Sequence, residues 1–290
     1  MNKYNFEIEN DLDNINNSVS KSSFNSITQI KSYFGSIENY FVDLDLPSKT
    51  LWAKYNLGVD PAKIRDFNVE TYPFDSNALS IDFFEDLIGN YYAWGEIATK
   101  KDYIEDTYAL NIVPYMPIKY IGNVNDKKSH SKSEKQNYDY KYILDLEDDA
   151  AYMNNAYKNN FQQCIPSPKQ FEELFQHTKI FIVYKKDTRK ACGYFFKSYT
   201  NENTLFIPFT GIKNYSINSI WLSSGNYWTN SRQNTKNTEN DGKYAVYAEF
   251  ALGFVGDRIT ACKNDKTYQQ RSLGLAIRPV MFKNNFMKMI

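Results

Sequence analysis

The chain has 290 residues, with 34 Lys plus Arg balanced by 34 Asp plus Glu and a formal charge of zero. Hydrophobic residues are 42% and aromatic residues 17% of it, which excludes a disordered chain and allows a sizeable core. Balanced charge gives no long-range pull toward nucleic acid or an anionic membrane, and no apolar run is long enough to span a bilayer.

Residues 1–39 read as a helical segment. Ile8, Leu12, Ile15 and Val19 are spaced 4, 3 and 4, and Ile27, Ile30, Phe34, Ile37 and Phe41 are spaced 3, 4, 3 and 4. Both runs place apolar groups on one helical stripe, and a narrow stripe on a polar helix needs a partner. The alternatives are packing back on its own domain and a short parallel coiled coil. The coiled coil is the preferred reading, with a stutter between Val19 and Ile27. Its β-branched residues favour a trimer over a dimer. The opening MNKYNFEIENDLDN has no apolar core of a signal peptide, so no secretion leader is expected.

From residue 40 the pattern changes to short apolar runs between turn residues. Phe41-Val42 and Leu44 suggest a first strand, Pro47-Ser48 a turn, and Thr50 to Ala53 a second strand. Residues 59–88 are less regular, with Phe83, Phe84 and Leu87 on a shared helical face. In GNYYAWGE (89–96) the bulk of Trp94 suits a core and Gly95 a backbone turn. Glu96 reads as a cap of a helix or turn.

Residues 122–137 read as an exposed polar loop, in which His130 is expected to be solvated. Asp145 then offers a cap to a helix whose first turn holds Glu147, Asp148 and Asp149. The same acids lack the spacing of a calcium loop, so no metal is expected. Cys164, Cys192 and Cys262 are far apart and contain no CxxC, which argues against a zinc site or a disulfide framework. No cofactor is expected.

The clearest local signal is CIPSPKQFEELFQHT. Ser167 is the N-cap, Pro168 the first helical residue and Gln170 the partner in a capping box, with Phe171, Leu174 and Phe175 on one face. His177 ends the helix. KIFIVYKK and ACGYFFKSY read as strands, with a turn near Asp187-Thr188 and Cys192 as a small core residue. LFIPF (205–209), NYWTNS (226–231), YAVYAEF (244–250) and LAIRPV (275–280) follow as further strand candidates.

If one face binds a ligand, the candidates are Tyr227, Trp228, Asn230, Arg232, Asn234 and Arg258. Aromatic rings there would stack on a sugar, while amides and guanidinium groups would bond to hydroxyls or carboxylates. Trp228 has a competing and preferred reading as a core anchor. No nucleophile–base–orienter set or paired-carboxylate site stands out, so no enzyme is expected.

FVDLDLPSKTLWAKYNLG, GNYYAWGE, the 145–175 stretch, LFIPFTGIKN, NYWTNS and LGLAIRPV, in that order, resemble the Fibrobacter succinogenes major paralogous domain family. That family is similar to C-type-lectin-like folds. The resemblance covers roughly residues 40–280. It implies an α+β, C-type-lectin-like head with a twisted antiparallel sheet and two helices over residues 40–290. Residues 59–88 would be an insertion. The family's tryptophan-arginine pair is here Gln163-Cys164, and Trp228-Thr229-Asn230 only partly echoes the calcium-lectin triplet. Behind a trimerising stalk, such a head implies a virion surface protein. It would be a head fibre, tail fibre or capsid decoration of a phage of gut Bacteroidetes, attached to capsid or tail through its N-terminus and binding cell-surface or mucosal glycans or proteins. The alternative is a bacterial surface adhesin or ligand-binding domain whose leader is absent from this chain.

Overall fold

The computed structural model describes residues 40–61, 64, 69–82, 84–103, 143–154, 163–214, 224–232, 244–251 and 268–282. The N-terminal stripe Ile8, Leu12, Ile15, Val19, Ile27, Ile30 and Phe34 lies outside them, as do Asn234, Arg258, His130 and Cys262.

Strand β2 (Thr50–Ala53) is buried at all four residues. It is flanked on one side by β1 (Phe41–Asp43) and on the other by the last strand, β11 (Val280–Phe282), both antiparallel. The turn from β1 to β2 has Lys49 in left-handed backbone, with φ 58°, and its N–H bonded to the Leu46 carbonyl at 2.9 Å. The two strands expected at the entrance to the domain are thus present, and the end of the described chain returns to them.

A second sheet has the order β3-β4-β5-β6-β7: Val69–Tyr72, Asp75–Ile81, Thr178–Lys185, Ala191–Ser198 and Thr204–Pro208. Its pairings are antiparallel except β4 with β5, which is parallel. The irregular stretch at 59–88 therefore contributes the hairpin β3–β4 to this sheet. The expected all-antiparallel sheet is corrected by that one pairing. Strand β6, ACGYFFKS, is buried at seven of its eight positions, as a strand covered on both faces should be. Gly193 in its middle is required sterically. A Cβ there would lie 2.6 Å from the Ile207 carbonyl oxygen of the neighbouring strand.

The third sheet pairs β8 (Ser224–Arg232), β9 (Tyr244–Ala251) and β10 (Tyr268–Gln270) antiparallel in the order β10-β9-β8. The two α-helices of the described residues are short: α1, Ala150–Met153, and α2, Pro168–Gln176. The domain is therefore α+β and mainly β.

Helix α2 forms where its sequence says it should. Ser167 Oγ accepts from the Gln170 N–H at 3.3 Å and Gln170 Oε1 accepts from the Ser167 N–H at 2.8 Å. Gln170 also donates through Nε2 to Thr50 Oγ1 at 3.0 Å, tying the helix start to β2. Phe171 and Leu174 are fully buried, and Trp52 meets the Phe171 ring edge-on at 5.0 Å. Burying side chains of this size contributes about 1.5–3 kcal/mol each.

Asp145 does not cap the first helix. Residues Leu146–Asp148 form a 3-10 turn with no side-chain cap from Asp145, and α1 starts only at Ala150 with Asp149 as its N-cap. Asp149 Oδ1 accepts from the N–H groups of Ala151 and Tyr152 at 2.8 and 3.0 Å, and Oδ2 from that of Ile165 at 2.8 Å. The bond to Ile165, distant in sequence, favours the later aspartate.

The expected strand Leu275–Val280 is a buried connector whose bonds are divided among several neighbours. Leu57 and Ala53 donate to the carbonyls of Ile277 and Pro279, and Trp228 to that of Ala276. Leu275 exchanges two bonds with Tyr92. Pro279 has no N–H to offer a ladder, and regular pairing begins at Val280.

Candidate binding face

The stretch SGNYWTNSR folds as β8, and its alternation puts neighbouring side chains on opposite faces. Both faces are covered. Tyr227 enters the core shared by β2, α2 and the five-stranded sheet. Trp228 enters a second cluster with Trp94, Leu144, Ile165, Leu273 and Leu275. This double covering decides the fate of the expected stacking surface.

Tyr227 is 0% exposed. Its hydroxyl donates to the Pro208 carbonyl at 2.6 Å and accepts from Asn56 Nδ2 at 3.2 Å. Its ring meets Phe250 edge-on at 5.4 Å. Burial pushes the phenol up to about 12, while the nearby Arg278 guanidinium pulls the other way. Trp228 is likewise 0% exposed and donates its indole N–H to the Tyr92 carbonyl at 2.7 Å. Arg232 is buried too. Tyr227 and Trp228 therefore offer no open stacking face and Arg232 no exposed guanidinium, because each is buried. Trp228 has the core position that the competing reading gave it.

Asn230 is half-buried and structural through its backbone. Its N–H donates to the Pro166 carbonyl and its carbonyl accepts from the Leu144 N–H, each at 2.9 Å. Its Oδ1 accepts from the Ser231 hydroxyl at 3.0 Å. Of the six candidate ligand residues, it alone among those described keeps an accessible polar side chain.

Buried charge lies where the sequence was not read for it. Arg278 is 0% exposed; its Nη1 donates to the Ala53 carbonyl and its Nη2 to that of Phe206, both at 3.0 Å. It links β2 to β7 from the closing connector. The Arg271 guanidinium sits 4.8 Å from the Trp94 ring centroid, whose indole N–H donates to the Thr229 carbonyl at 2.8 Å. The signal available in RSLGLAIRPV was two arginines inside an otherwise apolar run, which asks for enclosed partners.

The remaining chemical groups are structural in geometry. Glu96 is buried at the end of a turn and pairs with Lys100 Nζ at 2.6 Å. His177 stands at the C-cap of α2. Asp145, Glu147 and Asp148 bring their carboxylates within 4.8 Å of one another at the surface, as acids before a helix commonly do. Burial pushes the Cys164 thiol up to about 12 and that of Cys192 higher still, so neither is poised as a nucleophile.

No family model, no curated protein and no solved structure matches this chain.

Proposed function

We propose that residues 40–290 form a C-type-lectin-like head of a virion surface protein from a phage of gut Bacteroidetes. As a head fibre, tail fibre or capsid decoration, it presents a binding surface to host-cell or mucosal glycans or proteins and performs no catalysis. The observation that carries the reading is the arrangement around β2. Phe41–Asp43 and Val280–Phe282 lie on its two sides, so the described chain enters and leaves the domain through one sheet. A domain gripped in this way can be carried at the end of a stalk while its other loops face outward.

In this reading residues 1–39 form the stalk. The stripe Ile8, Leu12, Ile15, Val19, Ile27, Ile30 and Phe34 holds three copies together and joins them to capsid or tail. Three weakly binding heads held on one stalk gain avidity without any new contact. The covering of β8 on both faces supports the same role, since a display head needs a packed framework beneath its surface.

The test is immunogold electron microscopy and mass spectrometry of purified particles from a culture that produces the protein. Labelling of fibres or of the capsid surface supports the proposal. Absence from particles, with label on the bacterial surface, replaces it with the surface-adhesin reading.

A further inference from the structure

The residue most exposed among the large apolar side chains near the hairpin β3–β4 is Phe74, at 64%. It stands in the turn between the two strands, beside Pro73. The ring is held from behind. Tyr72 meets it edge-on at 5.5 Å, and Tyr72 stacks on Tyr184 of β5 at 4.3 Å with 15° between the planes. The Arg189 guanidinium lies 4.5 Å from the Phe74 centroid.

Arg189 belongs to the β5–β6 turn and has φ 55°, the left-handed region that favours glycine. The charges around it are sorted. Lys185 pairs with Glu85 and Lys186 with Glu70. Among the described residues no carboxylate pairs with Arg189 or Lys190, and both are exposed. An exposed ring in contact with Tyr72 thus stands beside the Arg189 guanidinium, with Lys190 next to it in the chain.

We propose that this tip binds an anionic pyranose. The apolar face of the sugar stacks on the part of the Phe74 ring that Arg189 leaves open, and its carboxylate or sulfate pairs with the Arg189 guanidinium. Size favours a sugar over a protein surface. The open phenyl ring offers on the order of 100 Å², the scale of one sugar face, whereas a stable protein interface takes about 800 Å² from each partner. The guanidinium supplies the planar, two-pronged donor set that carboxylate and sulfate accept. The proposal names a ligand class for the head described above and rests on that reading for its biological setting.

The test is affinity electrophoresis of the full chain in native gels containing polygalacturonate, chondroitin sulfate, neutral dextran or polyglutamate. Retardation is expected with one or both acidic polysaccharides and not with dextran. Retardation by polygalacturonate, which carries carboxylates alone, assigns the carboxylate; retardation by chondroitin sulfate only, which carries both groups, requires the sulfate. Phe74→Ala and Arg189→Gly should each weaken binding at least about tenfold. Phe74→Ala should leave the denaturation midpoint unchanged, and Arg189→Gly should hold or raise it, since glycine relieves the left-handed backbone. Three results would overturn the proposal. One is no retardation by either acidic polysaccharide. Another is retardation that survives Phe74→Ala, which means bare charge attraction. The third is equal retardation by polyglutamate that Phe74→Ala weakens, which makes an acidic protein segment the ligand. Sugar binding and presence in particles are scored separately, so either can fail alone.

Discussion

Asp149→Ala tests the joint between α1 and the segment before α2. One buried carboxylate serves three N–H groups there: two at the helix start and one from Ile165. Losing the cap costs about 1 kcal/mol. Leaving the buried Ile165 N–H without a partner costs about 1–3 kcal/mol more. The expected loss is therefore about 2–4 kcal/mol near neutral pH. Asp149→Ser keeps a capping oxygen and is too short to reach Ile165 as well, so it should fall between wild type and Asp149→Ala. Urea denaturation followed by tryptophan fluorescence suits this, because Trp94 and Trp228 share a cluster with Ala150, Ala151 and Ile165. Burial, opposed by the three N–H groups, pushes the Asp149 carboxyl up to about 6 from its ordinary 3.8. A raised folded value means that the proton-linked part of the stability, on top of the loss expected near neutral pH, is full below about pH 4 and is lost as pH rises through about 6. The margin of wild type over Asp149→Ser should therefore shrink across that window, by on the order of 3 kcal/mol. A stability of Asp149→Ala within about 0.5 kcal/mol of wild type would refute the argument.

Three further outcomes are expected. Ser167→Ala should cost about 1 kcal/mol, and a double-mutant cycle with Gln170→Ala should show coupling, because each side chain caps the other's backbone; additive losses would deny the box. Gly193→Ala should cost more than about 1 kcal/mol in denaturant, since its Cβ would meet a backbone oxygen that cannot move aside; an unchanged midpoint would mean β7 yields freely. Peptide mapping after maleimide treatment near pH 7 should find the buried Cys192 unlabelled in the native chain and labelled in denaturant, with the half-buried Cys164 labelled more slowly in the native chain than in denaturant; native labelling of Cys192 would contradict its burial.

What could be read in advance was what a few adjacent residues decide among themselves. The Ser167–Gln170 box, the helix after Pro168 and the strands at Thr178–Lys185 and Ala191–Ser198 rest on local chemistry. Each occurs at or near its expected place. The choice between Asp145 and Asp149 was not local, because Ile165 supplies the third bond. The closing LAIRPV failed as a strand for a related reason. Its apolar run signals burial, and burial beside several irregular neighbours satisfies its backbone as well as a ladder does.

The binding face shows the same division. NYWTNS has the letters of a recognition loop, and the same letters fill a strand enclosed on both faces. Composition cannot separate the two, since an aromatic ring with a polar tip serves either place. Phe74 is the converse case: a large apolar residue in an irregular stretch whose exposure follows from a hairpin turn.

By itself, then, the sequence determined the α+β character, the capped helix α2 and the burial of the strand Ala191–Ser198, because period, caps and turn residues act over a few positions. Only the tertiary structure decided that residues 69–81 join the central sheet through a parallel pairing, that Tyr227, Trp228 and Arg232 are enclosed, and that Phe74 stands open beside Arg189. Those outcomes depend on which distant strands meet, and no short stretch of chain carries that choice.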